Sequence, residues 1–115
     1  RLRAIVEEMG MGLLVIEKDG RIVKANAAAL DILNKPYEQV LNCRVTDLIS
    51  PGKGRNRLVS ALKKAVRSPG RRRIDLLFSA GERVVRGGVS LFRVKEDVIG
   101  WLLVMEDVTG RADAP

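Results

Sequence analysis

Few side chains in this 115-residue chain are equipped for chemistry. Cys43 is the single cysteine and there is no histidine, so a thiol nucleophile would lack the imidazole that usually activates it. Disulfide frameworks and His- or Cys-rich metal centres are excluded within the chain for the same reason. Glu106 and Asp107 form a carboxylate pair, but neighbours on a strand point to opposite faces. Asp107 is therefore read as structural. Pro51-Gly52-Lys53-Gly54 holds glycine and lysine without the spacing or closing Ser/Thr of a phosphate-binding loop, and reads as a plain loop. No catalytic residue is assigned, and the chain is expected to be a regulatory domain, not an enzyme.

Two features point to binding instead. Net charge is +7, and its excess is local. From Ser50 to Ile74 there is no acid, while Lys53, Arg55, Arg57, Lys63, Lys64, Arg67, Arg71, Arg72 and Arg73 crowd together. Such a patch attracts polyanions or acidic proteins. With no aromatic nearby to stack on bases, an acidic protein partner is favoured over nucleic acid. Gly87-Gly88, inside a strand pattern, marks either a bulge or a close approach by ligand or backbone; the bulge is the simpler expectation.

The elements that must position these residues follow from periodicity. Leu2, Ile5, Val6 and Met9 recur at helical spacing. Gly10 and Gly12 end that stripe, and Leu13 to Glu17 and Arg21 to Ala25 read as strands joined through Lys18-Asp19-Gly20, a hairpin signal. Asn26 is a good N-cap before Ala27 to Leu33, and Asn34-Lys35-Pro36 ends that helix. Tyr37 to Leu41 can add one turn. From Arg55 to Arg67, Leu58, Val59, Ala61, Leu62, Ala65 and Val66 fall on one side of a helix, with Arg57, Lys63, Lys64 and Arg67 on the other. Three further strands, Arg73 to Ser79, Glu82 to Val94 and Ile99 to Glu106, are close enough in sequence to form a meander. The expected fold is an α+β domain, a five-stranded antiparallel sheet with helices on one face and an N-terminal amphipathic helix.

The apolar runs Met9 to Ile16 and Val98 to Met105 are far shorter than the roughly 20 residues of a membrane span. The sequence opens on Arg-Leu-Arg without a signal peptide and reads as an excerpt of a longer protein. One cysteine fits a reducing compartment, and a cytoplasmic location is expected.

In order and spacing the chain resembles a PAS (Per-Arnt-Sim) domain. The resemblance rests on Gly12 to Glu17 with Asp19-Gly20-Arg21-Ile22, on Ala25-Asn26-Ala27-Ala28-Ala29, on Tyr37 to Leu41 followed by Val45 to Ile49, and on Gly100 to Met105 ending in Asp107-Val108-Thr109. It implies a sensory or dimerisation module of a signalling protein such as a histidine kinase or transcriptional regulator. A ligand-free protein-interaction scaffold is the alternative, and a nucleic-acid-docking domain a more distant one. Residues 1–10 are read as a flanking helix, 11–109 as the PAS domain and 110–115 as the start of a linker to an output domain.

The resemblance also implies residue roles. Asn26 matches an Asn whose side chain ties down local backbone. Asp107 and Thr109 match a motif joining the last strand to an outgoing signalling helix, and Arg111 matches an Arg often found after it. Gly110 departs from the acidic residue usual there and argues against an immediate helix start. A small apolar pocket between helix and sheet would be lined by Leu62, Val66, Leu76, Gly87 or Gly88, Val89 and Leu103, and a small-molecule ligand there is one expectation. Leu2, Ile5, Val6 and Met9 would form a homodimer contact or cap the chain's own sheet. The cofactor is left open, with flavin and haem argued against. Asn42-Cys43-Arg44 echoes the reactive core of flavin-binding light-oxygen-voltage domains, but Val45-Thr46-Asp47 follows where an aromatic and Leu-Gln are usual. The histidine that commonly ligates haem iron in this family is absent.

Overall fold

A computed structural model describes residues 10–68, 70 and 72–111. The elements run β1 (Gly12–Glu17), β2 (Ile22–Ala25), α1 (Ala27–Leu33), α2 (Tyr37–Val40), a 3-10 turn (Val45–Leu48), α3 (Lys53–Arg67), β3 (Ile74–Ala80), β4 (Arg83–Val94) and β5 (Asp97–Asp107). The N-terminal flanking helix, with Leu2, Ile5, Val6 and Met9, lies outside the described residues.

The five strands form one antiparallel sheet in the order β2-β1-β5-β4-β3. Its opening hairpin turns at Gly20, whose φ of 88° suits glycine, and is closed by Glu17 N–H donating to the Arg21 carbonyl at 2.8 Å. Leu14, Ile16, Val85, Val89, Leu103 and Met105 alternate onto one face and are almost fully buried there beneath Val40, Leu58 and Leu62 of the helices. On the opposite face, Leu13 pairs with Val104 and Val15 with Leu102, a half-buried aliphatic patch at the centre of the sheet.

Two close approaches fix how the layers meet. A Cβ at Gly12 would lie 2.9 Å from the Cα of Ala29, so α1 rests directly on the start of β1. At Gly100 a Cβ would fall 1.9 Å from the carbonyl oxygen of Ile16, which only glycine allows where β5 runs beside β1.

Two sequence expectations are corrected. Gly87-Gly88 is not a bulge: the β4–β5 register is continuous there and shifts only between Phe92 and Arg93. The glycines instead admit side chains, since a Cβ on Gly87 would meet the Phe78 ring at 2.9 Å and one on Gly88 the Arg73 Cδ at 2.6 Å. Val66 does not face the core and is 51% exposed. The buried arc of α3 runs from Ala61 to Leu62 through Leu58 and Ala65; at about 100° per residue, Val66 lies roughly 90° from its centre.

Candidate functional site

Residues with functional potential gather in two places, the interior between α3 and the sheet and the end of the sheet where β1 begins and β5 leaves. In the interior, Leu62, Leu76, Val89 and Leu103 come together in the buried cluster; Val66 is not among them. The space over Gly87 is occupied by the Phe78 ring, with the Leu103 Cδ1 at 3.1 Å from where a Cβ would sit. Trp101 is also buried, and its indole Nε1–H donates to the Leu62 carbonyl at 3.0 Å, tying β5 to the middle of α3. Sequence reasoning named neither Phe78 nor Trp101 as part of this interior. The parity of Ile74, Leu76 and Phe78 along β3 was the available signal for the first.

At the other place, four chain segments converge. Gly12 pairs with Met105, so the chain enters the sheet beside the strand by which it leaves. Asn26 stands at the entry, buried and fully engaged. Its Oδ1 accepts from Leu13 N–H and Ala29 N–H, each at 2.9 Å, and its Nδ2 donates to the Met11 carbonyl at 3.0 Å. One side chain thus caps α1 and holds both it and the entering strand.

The exit is latched by Asp107 and Thr109. Thr109 donates twice to Asp107 Oδ1, from its hydroxyl at 2.6 Å and from its backbone N–H at 3.0 Å. The same hydroxyl accepts from Val84 N–H at 2.8 Å, and Val108 N–H donates to the Val84 carbonyl at 2.8 Å, so the exit is pinned to the start of β4. Those bonds hold the Asp107 carboxyl below its ordinary pKa, the Thr109 hydroxyl bond contributing most and Arg83 and Arg111 adding a smaller Coulombic effect. After Thr109 the chain turns: Gly110 has φ +80° and Arg111 N–H donates to the Val108 carbonyl at 3.0 Å. The glycine that looked out of place in sequence supplies the positive φ of that turn.

Arginines spread the latch sideways. Arg83 lies 3.8 Å from Asp107 Oδ2 and 3.6 Å from Asp31 Oδ2, and donates to the Asp31 carbonyl at 2.7 Å, so it bridges the exit to the last turn of α1. Arg111 pairs with Glu106 at 3.1 Å. Sequence reasoning missed Arg83, Asp31 and Val84, whose roles depend on strand register.

Cys43 sits apart from both places, in the turn after α2, its thiol donating to the Gln39 carbonyl at 3.0 Å. It is not on a helix facing the interior of the sheet. The basic stretch places Lys53, Arg57, Lys63, Lys64 and Arg67 on exposed positions of α3. Among the described residues, no group of three or more His, Cys, Asp or Glu is placed to hold a metal ion, and no helix is long and apolar enough to cross a membrane.

A family model described as PAS fold matches residues 6–113. Among solved structures, the PAS domain of a protein from Colwellia psychrerythraea is similar, with a TM-score of 0.76 at 16% identity over 96% of this chain and 97% of that one. The PAS domain of nitrogen regulation protein NR(II) from Vibrio parahaemolyticus gives a TM-score of 0.68 at 18% identity over 91% of this chain and 95% of that one. A sensor region of a sensor histidine kinase gives 0.66 at 17% identity over 86% of this chain, which spans 39% of that chain's length. Comparison with curated proteins returns no match.

Proposed function

The chain belongs to the PAS fold family, and from that premise we propose that it is a sensory module in signal transduction, passing its state through residues 107–111 to an output domain of the same protein. The observation that carries this reading is the convergence at one end of the sheet. Asn26 fixes the entering strand, and Asp107 with Thr109 fixes the departing one to Val84. A shift in how α3 packs on the sheet reaches β5 through the bond from Trp101 to Leu62, and β5 ends at the latch. Two packings of differing exit geometry are what such a module needs. In this reading residues 11–109 form the domain, and it performs no catalytic step of its own.

Dimerisation through Leu2, Ile5, Val6 and Met9 is part of the proposal. It is supported by the aliphatic patch of Leu13, Val15, Leu102 and Val104 on the outer face of the sheet, a surface that suits such a stripe or its copy. Occupation of the space over Gly87 by Phe78 and Leu103 favours a second reading, a scaffold that responds to a protein partner with no small molecule inside. Native mass spectrometry of gently purified protein separates the two: a bound adduct supports the first, and bare protein with no thermal shift on a metabolite panel the second.

The sensory reading is tested by Trp101→Phe in the full-length protein. That change keeps an aromatic in the core, removes the indole donor with its bond to Leu62 and leaves no buried acceptor unpaired, because the Leu62 carbonyl still accepts within the helix ladder. The expected result is a folded protein with altered output. Output identical to wild type, at unchanged folding, refutes the coupling.

A further inference from the structure

Among the described residues β3 is an edge strand, paired only with β4. The Ser79 carbonyl accepts from Ser50 N–H, on the side away from β4, and backbone groups in an antiparallel strand alternate in direction with period two. Asp75 and Leu77 therefore also turn their N–H and C=O outward, where no backbone partner meets them among the described residues. Consistent with this, the Leu77 carbonyl faces α3, 3.3 Å from where a Gly54 Cβ would sit.

Beside that edge, α3 and β3 enclose two adjoining grooves, of 660 and 270 Å³, which share Arg57 and Leu77. They form one trough, from Lys53 opposite Ser79 to Lys64 opposite Ile74. Eleven helical steps and five strand steps both give a length of about 17 Å, enough for an extended segment of about five residues. Its helical wall carries Lys53, Arg57, Ser60 and Lys64, which fall within about 60° of one another around the axis. No acid stands on that wall. The one acid lining the trough among the described residues, Asp75, is already paired with Arg73 at 2.9 Å.

We infer that this trough takes up an extended acidic peptide segment, which adds to the edge of β3 as a sixth strand. The main chain of the segment pairs with the outward N–H and C=O of Asp75 and the N–H of Leu77, the Leu77 carbonyl being covered by Gly54, and carboxylates at alternate positions face Arg57 and Lys64. Side chains of the other parity lie over the half-buried Leu77. A nucleic acid would use the cations but not the row of backbone donors and acceptors, and Phe78 and Trp101 are buried and offer no stacking surface.

The experiment titrates the chain with a fluorescein-labelled peptide of alternating glutamate and valine, with alternating lysine and valine as control. Saturable binding is expected for the first peptide only. The double variant Arg57→Glu, Lys64→Glu should weaken it at least tenfold with an unchanged thermal midpoint. Asp75→Pro removes one outward N–H without touching the ladder to β4, and should abolish binding while preserving the fold. Bound peptide should slow hydrogen exchange at the Asp75 and Leu77 amides. Equal binding of the lysine peptide, unchanged exchange at those amides, full binding by Asp75→Pro, or tighter binding of a single-stranded oligonucleotide at about 150 mM salt would each overturn the inference.

Discussion

Thr109→Val removes one hydroxyl and almost nothing else in shape. It deletes the 2.6 Å bond to Asp107 and the acceptor that Val84 N–H uses at 2.8 Å, while the Thr109 backbone bond to Asp107 remains. Each lost bond lies at the surface, where water substitutes, so about 0.5 kcal/mol apiece and about 1 kcal/mol together is the expected cost. For a domain of this size that lowers the melting midpoint by about 4 °C. The titration of Asp107 gives a second and more specific signal. The hydroxyl bond is the largest cause of its lowered pKa, so in the variant the pKa rises toward the ordinary carboxylate value. A depressed folded-state pKa stabilises the fold fully above the unfolded-state value of 3.8 and loses that contribution as pH falls through the lower folded-state value. The gap in stability between wild type and variant should therefore narrow below that pH. Carboxyl carbon NMR reads the pKa, and urea unfolding at a series of pH values reads the gap. An Asp107 pKa identical in both proteins, or a stability gap constant from neutral pH to about pH 2, refutes the assignment of the latch.

Other substitutions probe the scaffold that carries the latch. Gly100→Ala should prevent stable folding, because its methyl would fall 1.9 Å from the Ile16 carbonyl oxygen, within backbone that cannot yield; a cooperative, wild-type-like thermal transition would contradict the β1–β5 packing. Asn26→Ala strips a helix cap and the partners of Leu13 N–H and the Met11 carbonyl, and should cost about 2–4 kcal/mol in urea unfolding. Leu62→Ala should cost about 2–5 kcal/mol, whereas exposed Val66→Ala should stay within about 0.5 kcal/mol. Similar costs at the two positions would refute the rotation of α3 described above.

How far the fold was legible depended on the range of the signal. Asp19-Gly20 closes a hairpin with local bonds, so the first two strands could be read directly. The same holds for Asn26, whose capping bond reaches only to Ala29. Asp107 and Thr109, although only two residues apart, were singled out by the family resemblance and not by a local signal. Val66 was misplaced because helical periodicity gives an apolar side but not the width of the arc that the sheet covers. Gly87 and Gly88 were misread as a bulge because what lies over them comes from elsewhere in the chain, the Phe78 ring of β3 over Gly87 and the Arg73 side chain just before β3 over Gly88. Gly100 carried no local clue at all, since its constraint is the carbonyl of Ile16. Arg83 likewise gains its role only when register brings it between Asp31 and Asp107.

The central claim is that signal leaves through the latch at the end of β5. It is tested most directly by the output activity of the full-length protein carrying Asp107→Ala, with folding followed in parallel by thermal unfolding. The carboxylate is a surface group whose bonds to Thr109 are the main link it makes, so the fold should persist while output no longer responds to the input. Output that responds as in the wild type would contradict the account.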